Sequence, residues 1–133
     1  MSATEVPRSA ARSRALDLAA RPEMAEVRRW VRAAAPEVAG DPLEDLLLVV
    51  TELVTNAYDH SRQPRWLRLS VLPERVHVEV EDSSGDPPVL GRSRISDTRG
   101  RGLVLVAALS VDWGHTAQAV GKTVWADVVH RPA

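Results

Sequence analysis

The segment from Asp41 to His60 constrains this chain more than any other, because it reads as one long amphipathic helix with a marked start. Asp41 suits the N-cap, Pro42 the first helical position and Glu44 the third, which completes a capping box. Leu43, Leu46, Val50, Leu53, Val54 and Ala57 recur at helical spacing and form a core stripe. A helix of that length with one apolar face has to lie across a second layer. The sequence supplies one: Val76, Val78 and Val80 alternate with His77, Glu79 and Glu81, the pattern of a strand with one buried face.

The remaining elements follow from similar signals. Residues 1–13 are expected to form a flexible N-terminus, with a single domain over 14–133. Ala15-Leu16-Asp17-Leu18-Ala19 suggests a short edge strand. A helix starting near Pro22 turns Met24, Val27, Trp30, Val31 and Ala34 inward and Glu26, Arg28, Arg29 and Arg32 outward; Pro36 and Gly40 close it. Trp66, Leu69 and Val71 are strand-like, and Pro73-Glu74 makes a tight turn. From Asp82 to Gly102 the chain is irregular, a length more typical of a binding loop or lid than of a plain connection. A buried helix over Leu103 to Leu109 precedes two closing strands, Val111 to Trp113 and Lys122 to His130, with a turn around Gln118 to Gly121. This order implies an α+β fold, a two-layer sandwich whose mixed, mostly antiparallel sheet carries helices on one face.

Bulk properties narrow the chemistry. With 133 residues the chain can bury a core without metal or disulfide staples. It contains no cysteine, which excludes disulfides, thiol catalysis and thiolate metal sites. A net charge of −1 gives no overall electrostatic case for nucleic acid or membrane. No apolar run approaches a membrane span, and Met1 to Arg14 lacks the apolar core of a secretory signal. A cytoplasmic location is the expectation.

Three features could carry chemistry. Glu52 and Asn56 stand one turn apart on the long helix, beside the core stripe and in line with Asp45 at its rim. Hard cations take oxygen ligands and proton transfer needs a base, so a carboxylate and a carboxamide there suit a hydrated divalent cation and an activated hydroxyl. Asp82 ends the valine strand, where a carboxylate either caps an Asx turn or accepts a hydrogen bond from an exocyclic amine such as that of adenine. Gly100-Arg101-Gly102 sits before the predicted helix at Leu103, so its backbone can approach an anion, with Arg99 and Arg101 as nearby cationic donors. By contrast, Gly121-Lys122-Thr123 only imitates a P-loop. The first glycine of such a loop belongs at position 116, where Thr116 stands, and a strand rather than a helix follows. His77 and His115 read as surface groups, the four tryptophans as core or partner contacts, and Arg62, Arg65 and Arg68 as a solvated face.

Taken together, the motifs resemble a known family. Glu52-Leu-Val-Thr-Asn56-Ala-Tyr-Asp-His60 is similar to the N-box of the GHKL, or Bergerat-fold, ATPases, the group of gyrase, histidine kinases and mismatch-repair ATPases. Asp82-Ser-Ser-Gly85-Asp-Pro-Pro88 resembles the G1 box in the form found in bacterial anti-sigma-factor kinases, with Ser84 where the usual glycine stands and Gly85 one place later. Gly100-Arg-Gly102-Leu103-Val-Leu-Val106 resembles the G2 box, and Gly121-Lys-Thr123-Val-Trp125-Ala the closing strand motif. The likeness covers about residues 20–130, with four motifs in order.

The resemblance implies that Asn56 binds a Mg²⁺ bridging the phosphates of ATP and that Glu52 is the catalytic base. It assigns Asp82 to the adenine amino group with Thr123 in support, and Gly100 and Gly102 to the phosphates under a mobile lid. Gly85, Arg99, Arg101 and Leu103 belong to the same nucleotide site. The implied activity is that of a serine/threonine protein kinase acting on a serine of an anti-anti-sigma (STAS-type) partner, in transcription regulation. A sigma factor is a further possible partner, and a homodimer is compatible. The alternative is a non-catalytic ATP-binding module that acts through protein contacts.

Overall fold

Alternating valines and leucines build the sheet. The computed structural model describes residues 12–60, 64–83, 98–117 and 121–130. Strands β1 (Arg12–Asp17), β2 (Pro64–Val71), β3 (Arg75–Asp82), β4 (Asp112–Ala117) and β5 (Lys122–Val129) pair in the order β1-β2-β3-β5-β4. Among the described residues every pairing is antiparallel, so the sheet expected as mixed has no parallel pair there. The hairpin between β2 and β3 sets the first reversal: the Leu72 N–H donates to the Arg75 carbonyl at 2.8 Å around Pro73 and Glu74. Between β3 and β5 the chain detours through a helix and β4, which returns it in the opposite sense.

Three helices, α1 (Met24–Ala34), α2 (Gly40–His60) and α3 (Thr98–Leu109), cover one face of this sheet. Register explains which residues they meet. Val80 pairs with Leu67 and Val124, Val78 with Leu69 and Ala126, and Val76 with Val71 and Val128. All nine are buried, forming three rows across the central strands. Against them α2 places Leu46, Val49, Val50, Leu53 and Val54, α1 adds Val27, Val31 and Ala34, and α3 adds Val106. Each of these buried valines and leucines contributes about 1.5–3 kcal/mol relative to exposure. The expected core stripe of α2 is therefore the observed one, extended by Leu47 and Val49, while Leu43 packs at its edge. Tyr58 secures the far end of the helix by donating its hydroxyl to the Leu18 carbonyl at 2.7 Å.

Several boundaries differ from expectation. β1 begins at Arg12, so Arg12 and Ser13, expected in the flexible N-terminus, are paired with Val71 and Ser70. The strand stops at Asp17, whose carboxylate accepts from the Ala19 N–H at 2.8 Å and turns the chain. Helix α2 starts at Gly40, with φ at 64°, one place before the expected cap Asp41. Glycine reaches that conformation at no steric cost. Helix α3 begins at Thr98 instead of Leu103, and it is only partly covered, with Val104 66% and Leu105 40% exposed. The fourth strand runs from Asp112 to Ala117, longer than expected because β5 offers a partner along its whole length.

The uncovered face of the sheet is polar but ordered. His77, expected as a surface group, sits half-buried between Asp127 (Nδ1 to Oδ1, 2.6 Å) and Glu79 (Nε2 to Oε2, 3.1 Å) and stacks on Trp125. Arg68 reaches Glu81 at 2.5 Å on the same face. The hydrogen bond to Glu79 raises the His77 pKa above its ordinary 6.5, burial opposes it, and Asp127 raises it further. A raised folded-state pKa means the protonated imidazole favours the fold, fully below pH 6.5, and that this contribution fades as pH climbs through the raised value. Urea titrations across that range should show a decline in stability for the wild type that His77→Gln flattens; parallel profiles would contradict the assignment.

Candidate functional site

The C-terminal end of α2 is tied to the paired ends of β3 and β5 through a short chain of contacts. The Tyr58 hydroxyl donates to the Leu18 carbonyl, the Leu18 N–H donates to the Arg65 carbonyl, and the adjacent Pro64 pairs with Asp82, which pairs with Lys122. Glu52, Asn56 and Asp45 fall on the rim of the buried face of α2, each partly exposed, as their spacing predicts. Asn56 is unusual among them. Its Oδ1 is shielded from solvent yet has no hydrogen-bond partner among the described residues. A buried carbonyl oxygen left unpaired costs about 1–3 kcal/mol. Such an atom is a ready ligand for a hard cation, so the residues present fit a divalent metal at Asn56.

Asp82 shares the parity of Val76, Val78 and Val80, which turns its side chain toward the helix-covered face at the open end of the strand. It is only 3% exposed. The register sets Lys122 directly opposite, and its Nζ lies 3.0 Å from the Asp82 Oδ2. Lys122 is equally enclosed, at 6% exposure. The contact is a close ion pair without the alignment of a hydrogen bond, so the ammonium meets no aligned acceptor among the described residues. Burying two charges costs several kcal/mol per ion, which mutual attraction offsets only when geometry and further hydrogen bonds are good.

Thr123, expected beside Asp82, pairs instead with Glu81 on the opposite face of the sheet. Strand alternation places Lys122, not Thr123, against the carboxylate. The sequence held that signal: counting back by twos from Ala126 through Val124 puts position 122 on the inner face. The P-loop and closing-strand likenesses of Gly121-Lys122-Thr123 do not carry this parity.

The Gly-Arg-Gly turn is also relocated. With α3 starting at Thr98, Gly100 and Arg101 lie within its first turn, where backbone N–H groups have no partner inside the helix, and Gly102 and Leu103 follow. Arg99 is the second residue of this helix. Of the loop expected from Asp82 to Gly102, residues 84–97, Gly85 among them, lie outside the described residues.

Gly121 holds the β3 and β5 ends in contact. Its φ is 88°, and a Cβ there would stand 2.0 Å from the Asp82 carbonyl oxygen. That neighbour is backbone and cannot rotate away. Gly121→Ala should therefore cost about 2 kcal/mol or more, read as a lowered denaturation midpoint. A variant as stable as wild type would contradict the close approach.

Comparison with known proteins places the chain in a family. A family model described as histidine kinase-like ATPase domain matches residues 18–127. An uncharacterized protein of Streptomyces coelicolor is 39% identical over 70 residues, spanning 49% of this chain and 67% of the relative. The family match runs from Leu18, where β1 gives way to the turn before α1, to Asp127 in β5, and so takes in the α2 carboxylate and amide, the Asp82–Lys122 pair and α3. The chain belongs to the histidine kinase-like ATPase domain family.

Proposed function

We propose that the chain binds ATP with Mg²⁺ and transfers the γ-phosphate to a serine of a partner protein, as an anti-sigma-factor type kinase acting on an anti-anti-sigma (STAS-type) protein. The observation that carries this reading is the orphaned Asn56 Oδ1, one helical turn from Glu52 on the helix that covers the Asp82 end of the sheet. Membership of an ATPase-domain family supplies the nucleotide.

Each residue then has a task. Asn56 offers Oδ1 to a Mg²⁺ whose charge offsets that of the triphosphate. Asp82 accepts a hydrogen bond from the adenine amine. The first turn of α3, with Gly100 and Arg101, directs unpaired N–H groups at phosphate oxygens; Arg99 adds charge, and Gly102 and Leu103 extend the helix behind them. Gly85 and Thr123 complete the proposed set, Thr123 from the opposite face of β5. Glu52 takes the serine proton as the Oγ–phosphorus bond forms and the bond from the γ-phosphorus to the β–γ bridging oxygen breaks, releasing ADP. Positioning and charge neutralisation supply most of the rate in such transfers.

A second reading, a nucleotide-binding module whose function is protein contact, is favoured by the exposed apolar side chains Val104 and Leu105 on α3 and Val111 after it. One variant separates the two. Glu52→Ala should bind ATP·Mg²⁺ within about threefold of wild type, yet transfer phosphate to a serine-bearing partner at least about a hundredfold more slowly, the usual scale of general base catalysis. Unchanged transfer by the variant would remove Glu52 from the chemistry. Wild type that binds nucleotide but transfers nothing would leave the module reading.

A further inference from the structure

We infer that Lys122 reads the nucleobase: its ammonium donates to a ring acceptor next to the exocyclic amine taken by Asp82, so that the buried pair selects adenine. This rests on the proposed nucleotide site and specifies how its base end works.

The argument starts from an imbalance. An ammonium carries three donors, and that of Lys122, 6% exposed, has the Asp82 Oδ2 at 3.0 Å and no aligned hydrogen bond among the described residues. Packing alone does not call for this group. The residues along the same face of β5 are Val124, Ala126 and Val128, and an apolar side chain at 122 would continue them without a desolvation cost. What the ammonium adds to the carboxylate is a donor beside an acceptor, fixed at adjacent positions by the cross-strand register. That pair is the complement of the pairing edge of adenine, whose N6 amine donates next to the N1 acceptor. In the same pose guanine inverts this pattern, setting its O6 acceptor against the carboxylate and its N1–H donor against the ammonium. Gly121 makes the arrangement possible by letting the start of β5 close onto the Asp82 backbone.

A lysine that merely neutralises Asp82 would be indifferent to the ring nitrogen. The discriminating ligand is therefore 1-deaza-ATP, in which a C–H replaces N1 and the exocyclic amine is kept. Calorimetric titration of the full chain with Mg²⁺ complexes of ATP, 1-deaza-ATP and GTP should give wild type an affinity for ATP at least about tenfold above either other ligand, as expected for one hydrogen bond to a charged group. In Lys122→Met the two adenine ligands should bind alike. If that variant does not fold because the buried Asp82 carboxylate has lost its counter-charge, the double variant Asp82→Asn with Lys122→Met removes both charges of the pair and should also show no gap. Equal binding of ATP and 1-deaza-ATP by wild type, or a gap that survives removal of Lys122, overturns the inference while leaving ATP binding intact. Wild type that binds none of the three ligands removes the proposed function along with it.

Discussion

The apolar stripe of α2 pressed onto the inner rows of β2, β3 and β5 holds the rest of the molecule in place. Leu46, Val49, Val50, Leu53 and Val54 meet three rows of valine, leucine and alanine whose alignment follows from antiparallel register. Because the side-chain period of a strand is two, a slip of one residue would turn all of these rows to solvent. The same register therefore fixes where the polar groups at the strand ends go. Asp82 and Lys122 are inward because the valines preceding and following them are inward. The placement of polar groups at this end of the sheet is a consequence of core packing in the middle.

Against that well-satisfied core, the buried polar groups at the site stand out by what they lack. Among the described residues, Asn56 presents a shielded oxygen with no donor, and Lys122 a shielded ammonium with a carboxylate nearby but no aligned acceptor. The polar cluster on the uncovered face is different. There His77, Asp127 and Glu79 answer one another at hydrogen-bond distance. Partnered groups stabilise a surface; unpartnered, enclosed ones are suited to a ligand that brings its own donors, acceptors and charge.

The architecture was legible because each main element carries a strong period. The helical stripe of α2 and the alternation of β3 read directly from Leu46 to Ala57 and from Val76 to Glu81. The hairpin at Pro73-Glu74 was equally plain. The start of α3 was not, since Thr98 to Gly102 contains two glycines and no apolar residue, so nothing in its pattern marks a helix. The pairing of Arg12 and Ser13 was hidden for a related reason: an edge strand of polar residues owes its order to β2, not to its own composition. At the site, the spacing of Glu52 and Asn56 identified the face but not the unpartnered state of Asn56 Oδ1, which depends on the surrounding packing. Lys122 is readable from strand parity, whereas motif likeness points to Thr123, which lies on the other face.

The central claim is that Asn56 and the strand-end pair serve one nucleotide–metal complex. The most direct test is calorimetric titration with a non-hydrolysable ATP analogue, in excess Mg²⁺ and in EDTA, for wild type and Asn56→Leu. The account predicts that wild type binds at least about tenfold more tightly with Mg²⁺, and that the folded variant loses this metal dependence. Equal affinity of wild type in Mg²⁺ and EDTA, or a metal dependence untouched by Asn56→Leu, would contradict it.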